Sequence, residues 1–572
     1  MKIIFRFLRG YRVMAAIGGL LKLAEAVLEL FLPIMMADLI NRGVLHGDRE
    51  VIFHVGSQML LIAGVGLCFA LICQYVASLT AQGFSTRLRA ALYARILRLP
   101  AAEAGRLGAD TLATRLTNDV SQVGWGVAIF IRLVLRAPFL CVGSAVYAAT
   151  LNLKLSLIIF LCLPILGGIV AVIYKRSAPL YTAVQRAMDR LSAGVGENIA
   201  GVRVIRAFAA GRYERSRFRT KNDELTRTVV RVNNIALLMN PLTALVMNAA
   251  VVAVLMVSGR LVASGELLPG TILAFINYIT MMLSSLLIMT LLVTTFTKAG
   301  AGLRRVHEVL EAPVEQPDEG RSADPQSPAP VVACEGVSFT YPGAMAPALT
   351  NLSFVLERGQ TLGMIGGTGS GKTTLLRLLL RQYLPDNGRV LLHGSDTNTL
   401  SPAAVRVLIS IAPQTPGLWA DSVKNNLSMG RPVSDAALLH ALSAAAALEF
   451  VEALPGGLNA PIERGGQNLS GGQRARLGIA RALLKESSLL ILDDSFAALD
   501  YITERRIKTA LKDYAFPAVI LVSQRLSAVR SCDRILVLHE GGMAGFGTHD
   551  ELMADCEVYR DIVRTQTAEE AV

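Results

Sequence analysis

The sequence is short of charge, of tryptophan and of any paired cysteine. Only 17% of its 572 residues are Asp, Glu, Lys or Arg, whereas soluble domains carry about 25%. Mean hydropathy is +0.47, and 52% of the residues are hydrophobic. That balance disfavours an ordinary soluble enzyme and excludes a disordered chain. Seven scattered cysteines form no CxxC pair and read as reduced, buried thiols. No metal-ligand spacing joins them or the seven histidines. The opening MKIIFRFLRGYR lacks a short apolar core followed by a small-residue cleavage site, so no removable signal peptide is expected.

What is present is a split chain. Residues 1–310 hold 33 Lys/Arg against 15 Asp/Glu, whereas residues 311–572 hold 23 against 29. The positive excess belongs to the hydrophobic half. Basic residues beside apolar runs suggest the cytoplasmic edge of a membrane more than nucleic acid. Runs 55–86, 232–259 and 267–297 carry no charged side chain, and 138–174 carries only Lys154. A membrane crossing needs about 20 apolar residues. The pattern predicts six spans, near 13–38, 55–85, 130–151, 155–174, 233–260 and 268–297. Thirteen Lys/Arg lie between Lys175 and Arg231, while 261–270 has none. The N-terminus and both long loops are therefore expected in the cytoplasm, with short turns near 108–118 and 203–215.

Polar groups inside spans are functional candidates by default. Lys22, Glu25 and Glu29 recur at helical spacing on one face, suited either to a cavity wall or to pairing with one another. Arg132 and Arg136 sit one turn apart near the start of span three, where a stretch still in the cytosol is the preferred reading.

Residues 311–330 hold five prolines and read as an extended linker. Beyond them, short β-rich runs alternate with helical ones, the texture of an α/β domain with buried parallel strands over 331–572. Gly366-Gly367-Thr368-Gly369-Ser370-Gly371-Lys372-Thr373 fits GxxxxGK[ST]. It lies between strand-like TLGMI and helical TTLLRLLLRQ. In such a loop backbone N–H groups wrap phosphates, Lys372 reaches the outer ones and Thr373 holds Mg²⁺. Downstream, the apolar run 489–492 ends in Asp493, expected as a partner of Mg²⁺ either directly or through water.

A phosphate loop alone leaves kinases, GTPases and helicases open. Leu469-Ser470-Gly471-Gly472-Gln473 narrows the choice. With it, the chain resembles an ATP-binding cassette (ABC) transporter, specifically a half-transporter of the six-helix exporter type. The resemblance implies an α-helical six-span transmembrane domain followed by an α/β P-loop nucleotide-binding domain. It implies ATP and Mg²⁺ as ligands, bound by 366–373 with Thr374, Gln414 and Asp493. Tyr341 matches the aromatic that stacks on adenine, Gln414 the Q-loop glutamine and Asp500 the D-loop aspartate. The LSGGQ of one subunit is expected to face the P-loop of another, with ATP between them. Segments RLGADTLATRLTNDV and NIAGVRVIRAFAAGRYERSRF resemble the loops that couple cassette to membrane.

Two positions depart from the family pattern. The residue after the Walker B aspartate is normally Glu, which polarises the attacking water; here it is Asp494. Its carboxylate sits on the order of 1 Å too far back, a shift that can cost about 100-fold. The switch residue is normally His; here it is Gln524, an amide that cannot become cationic. Both flank the same γ-phosphate. The expected assembly is therefore a heterodimer in a bacterial plasma membrane, this chain supplying a slow ATP site and an intact signature. Its cargo would be an amphipathic drug- or lipid-like small molecule. The fold also allows a siderophore importer or a regulatory ATP sensor. The spans exclude a soluble relative acting on ribosomes or DNA, and no nucleic-acid partner is expected.

Overall fold

A computed structural model describes residues 2–315, 323–514 and 516–570. The expected linker thus falls in part, at 316–322, outside the described residues. The chain divides into two compact units, Met1–Leu97 with Gly108–Ala312, and Arg98–Leu107 with Pro313–Val572.

The first unit is helical. Among the described residues five stretches are long and apolar enough to cross a membrane: Arg49–Ile96, Ala109–Leu151, Leu153–Ala200, Gly211–Ala263 and Pro269–Glu311. The helix expected as the first span exists, as Arg12–Asp38. However, Lys22, Glu25 and Glu29 interrupt every window of crossing length, so five helices rather than six meet that measure. Side chains cap the long helices where the sequence offers them. Asp48 accepts from the N–H groups of Glu50 and Val51 ahead of Arg49–Ile96. Asn152 breaks the chain with extended backbone and accepts from Leu155 N–H, opening Leu153–Ala200. Small residues let helices approach closely. A Cβ on Gly126 would stand 2.7 Å from the Ala299 methyl.

The charges inside the bundle pair with one another. Lys22 Nζ donates to both Glu25 oxygens at 2.7 and 2.6 Å. Arg136 Nη2 donates to Glu29 at 2.7 Å. Arg132 reaches the Gln74 backbone carbonyl at 3.3 Å and Ser78 Oγ at 3.4 Å, both inside the charge-free run of Arg49–Ile96. Below them, Arg305 donates twice to the buried Asp119 carboxylate, at 2.7 and 2.6 Å. Arg115 pairs with Glu308 at 2.9 Å. Bidentate charge-assisted bonds of this kind fix geometry as well as energy. Tyr278, fully buried, donates to the Leu30 carbonyl at 2.8 Å and so meets its polar need inside the apolar core. Cysteine burial differs from expectation at one position: six are buried, but Cys68 is exposed on the outward face of Arg49–Ile96.

The second unit carries two main sheets. Four antiparallel strands run in the order Leu349–Leu356, Val332–Phe339, Asn387–Leu392, Ser395–Asp396. A six-stranded sheet runs Gly542–Gly547, Arg534–His539, Thr361–Ile365, Ala518–Val522, Leu489–Asp493, Ile409–Ala412. All its pairings are parallel except the one at the Gly542–Gly547 edge. Its central strands are continuous apolar runs, as sheets covered on both faces require. In chains of this class ligands lie outside the carboxyl ends of such strands. Here those ends deliver Gly366, Ser523, Asp493 and Pro413 to one side.

Candidate functional site

The phosphate loop leaves the buried strand Thr361–Ile365 and opens the helix Lys372–Leu379. Its glycines serve different needs. Gly369 and Gly371 take φ of 81° and 103°, a region that favours glycine. Gly366 is a matter of space: a Cβ there would lie 2.3 Å from the Leu538 carbonyl oxygen. Ser370 is buried beneath the loop, and Thr373 is exposed at its rim. Lys372 Nζ donates to the carbonyls of Gly366 and Gly367 at 2.6 and 2.8 Å, so the cation stands over the loop mouth.

Asp493 ends its strand in register with Val522. Asp494 follows in left-handed backbone, φ 48°, its N–H donating to the Val522 carbonyl at 2.9 Å. Gln414 Nε2 donates to Asp494 Oδ2 at 3.1 Å, and among the described residues its amide oxygen accepts no hydrogen bond. Burial, then the neighbouring Asp494, pushes the Asp493 carboxyl above the usual carboxylate range, against Lys372 and Arg377. Burial also raises Asp494, opposed by the Gln414 bond and Lys372. Burial lowers the Lys372 ammonium, with the two aspartates opposing.

The sign of the linkage follows. A carboxyl raised in the folded state adds stability below its ordinary value, and this is lost as pH rises through the raised one. Ionising either carboxyl in the folded state therefore costs stability. Asp493→Asn is expected to raise the apparent Tm at pH 7 without divalent cation. The same change should abolish the Tm gain that Mg²⁺ with ATP produces. A lower Tm in the metal-free protein would show instead that pairing with Lys372 outweighs burial.

Tyr341 packs against the side of the loop helix. Its hydroxyl donates to Thr374 Oγ1 at 3.2 Å and accepts from Arg377 Nη1 at 3.1 Å. Edge contacts with Phe339 and Tyr383, 5.0 and 5.3 Å between centroids, fix the ring. Sequence spacing carried no sign of the Arg377 or Tyr383 supports, because they come from the helix and the turn beyond it.

The signature forms a second, separate cluster. Ser470 caps the helix Gly471–Leu483 in a reciprocal box with Gln473: Gln473 N–H donates to Ser470 Oγ at 3.2 Å, and Ser470 N–H to Gln473 Oε1 at 2.8 Å. Leu469 is buried as its anchor. Gly471 is open, and Gly472 lies against the Ala498 carbonyl. Asp500 is used locally. It caps the helix Tyr501–Leu511 by accepting from Thr503 N–H and hydroxyl at 2.9 and 2.7 Å, bonds that hold its carboxyl below the usual range. Among the described residues no hydrogen bond joins the signature to the phosphate loop. The structure therefore gathers Gly366–Thr374, Gln414, Asp493 and Asp494 at one place and 469–473 with Asp500 at another.

A helical unit of this kind joined to a P-loop unit with a second, outward-facing glycine motif agrees with the family models. The ABC transporter transmembrane region matches residues 15–286, and the ABC transporter cassette matches residues 349–497. An ABC transporter ATP-binding protein of Mycobacterium tuberculosis, itself uncharacterised, is 33% identical over 569 residues, covering 98% of this chain and 97% of its own. The chain belongs to the ABC transporter family. This ABC chain is also 30% identical to the ATP-dependent lipid A-core flippase of Chromobacterium violaceum, over 98% of its own length and 96% of the flippase. A bacterial Atm1-family ABC exporter with ATP bound shares its fold at a TM-score of 0.78 and 23% identity, covering 98% of each chain. One membrane region and one cassette in a single chain is the half-transporter arrangement. It is a multi-pass membrane protein whose cassette supports ATP-driven transport. Tyr341 and Gln524 lie outside the matched cassette segment.

Proposed function

We propose that this chain is one half of a heterodimeric ABC exporter of drug- or lipid-like amphipathic compounds, and that its own ATP site is slow. The observation that carries the reading is the asymmetry between the two clusters. At the phosphate loop, both positions that serve the γ-phosphate are altered, Asp494 and Gln524. They come from neighbouring strands, and the Asp494 N–H bond to Val522 holds their backbones together. The signature, by contrast, is intact, and its helix start is capped by the reciprocal Ser470–Gln473 box.

In this reading Gly366–Gly371 and Thr374 cradle ATP phosphates, Lys372 meets the outer ones and Tyr341 stacks on adenine. The oxygen donors suit Mg²⁺: the Thr373 hydroxyl, the Asp493 carboxylate and the free Gln414 amide oxygen are hard ligands, and one carboxylate beside substrate phosphates is the usual set. The cation would neutralise phosphate charge. Ser470 Oγ, already accepting from Gln473, keeps its proton for the γ-phosphate of ATP held by the partner half. A partner with Glu and His at the two altered positions completes the competent site. The helix Arg12–Asp38 acts as the sixth span, its charges neutralised by Arg136 and by one another. The N-terminus and cassette lie in the cytoplasm of a bacterial plasma membrane. Similarity to the lipid A-core flippase supports a lipid-like cargo.

The test is ATP-dependent flux in inside-out vesicles holding this chain with its partner. Uptake of an amphipathic probe supports export. Release of preloaded probe would mean import. A purified homodimer of this chain hydrolysing ATP at ordinary transporter rates would overturn the slow-site reading.

A further inference from the structure

The switch residue Gln524 lies in a turn between the strand Ala518–Val522 and the short helix Leu526–Val529. Its side chain is exposed, so its aim depends on how the turn is held. One side chain from far along the chain holds both ends of that turn. Gln566 Nε2 donates to the Gln524 carbonyl at 2.7 Å. Gln566 Oε1 accepts from Leu526 N–H at 2.7 Å. The amide orientation is forced, since flipping it would set oxygen against carbonyl and NH₂ against N–H.

Gln566 is itself held firmly. It belongs to the helix Glu557–Glu570. That helix is anchored by Tyr559, fully buried and with its hydroxyl 2.8 Å from His549 Nδ1. Ile562 and Val563 pack on the same core. The other supports of the turn come from elsewhere. Arg525 donates to the Ala497 and Leu499 carbonyls at 3.0 and 3.3 Å. Lys508 donates to the Ser527 carbonyl at 3.0 Å. Ser523 N–H donates to the Met364 carbonyl at 3.0 Å. These fix what flanks residue 524. Only Gln566 grips its own carbonyl among the described residues.

We infer that Gln566 is a positioning residue for the γ-phosphate sensor: its amide sets the backbone of residue 524 so that the side chain meets the third phosphate. The inference rests on the reading of Gln524 as the residue facing that phosphate. It extends the site to a helix that neither the phosphate loop nor the signature contacts through a hydrogen bond. It also makes discrimination between ATP and ADP depend on a position 42 residues further along the chain.

The experiment titrates the purified full-length protein with N-methylanthraniloyl ATP and, separately, the corresponding ADP. Gln566→Leu is expected to weaken ATP about ten-fold, in the range of one lost hydrogen bond to a charged group, with ADP unchanged within about two-fold. Gln566→Glu, which keeps the acceptor for Leu526 N–H but not the donor, should fall between. Gln524→Ala should reproduce the ATP-selective loss, and Gln566→Leu added to it should cost nothing more, since both act on one interaction. Equal weakening of ATP and ADP by Gln566→Leu would overturn the inference and leave a structural role. So would ATP selectivity lost in Gln524→Ala but intact in Gln566→Leu, in which case the reading of Gln524 survives. Selectivity intact in Gln524→Ala would remove that reading itself.

Discussion

In vesicles holding both halves, Gly471→Asp in this chain is expected to lower ATP-driven flux by about 100-fold or more. Lys372→Ala in the same chain should leave flux within about ten-fold of the unaltered pair. The contrast follows from which nucleotide each cluster serves. Gly471 is the first residue of the signature helix, beside the capping Ser470, and its N-terminal dipole favours an anion. A carboxylate at 471 puts negative charge where the partner's γ-phosphate would sit. The fold should tolerate it. A Cβ at 471 meets only the Ala498 methyl, at 3.8 Å, and an acidic residue in a helix's first turn is stabilising. In the proposed reading Lys372 belongs to the slow site, whose turnover would contribute little to the cycle. Flux lost equally in both variants would show that the two sites share the work.

The second large effect is a gain. Asp494→Glu with Gln524→His is expected to raise ATP turnover at this chain's own site by about 100-fold. Glutamate returns the carboxylate to the reach that water activation needs, and histidine restores a group able to carry charge at the γ-phosphate. The geometry indicates why both changes are needed. Asp494 occupies left-handed backbone, φ 48°, where aspartate is better tolerated than longer side chains, and it accepts from Gln414 at 3.1 Å. Glutamate alone would trade that bond for reach without restoring the switch. The measurement is phosphate release by the double variant against each single one. Turnover unchanged in the double variant would mean that the slow chemistry lies elsewhere.

Much of this was legible along the chain because the signals are local. The phosphate loop is eight consecutive residues, and its strand–loop–helix setting is written in the residues on either side. The signature and its cap lie within 469–473. Apolar runs of crossing length with few or no charges mark five helices, because a lipid-facing helix has no means of satisfying scattered charge. The same logic marked Arg12–Asp38 ambiguously: Lys22, Glu25 and Glu29 within one helix read as a cavity wall or as an ion-paired face, and only packing could decide.

The sequence by itself determined the two-part architecture and the phosphate-loop and signature motifs, since each depends on residue type at short, fixed spacing; the proposal for Asp494 and Gln524 rests on comparing those two positions with the family pattern. Tertiary structure alone decided how Lys22, Glu25, Glu29 and Arg136 neutralise one another, that Gln414 grips Asp494, that Asp500 is taken up in capping its own helix, and that Gln566 holds the turn at Gln524. Apart from the local Asp500 cap and the Lys22–Glu25 pair, these contacts join segments brought together by sheet order and helix packing. Their partners are separated by up to 107 residues, and no periodicity records a meeting at that distance.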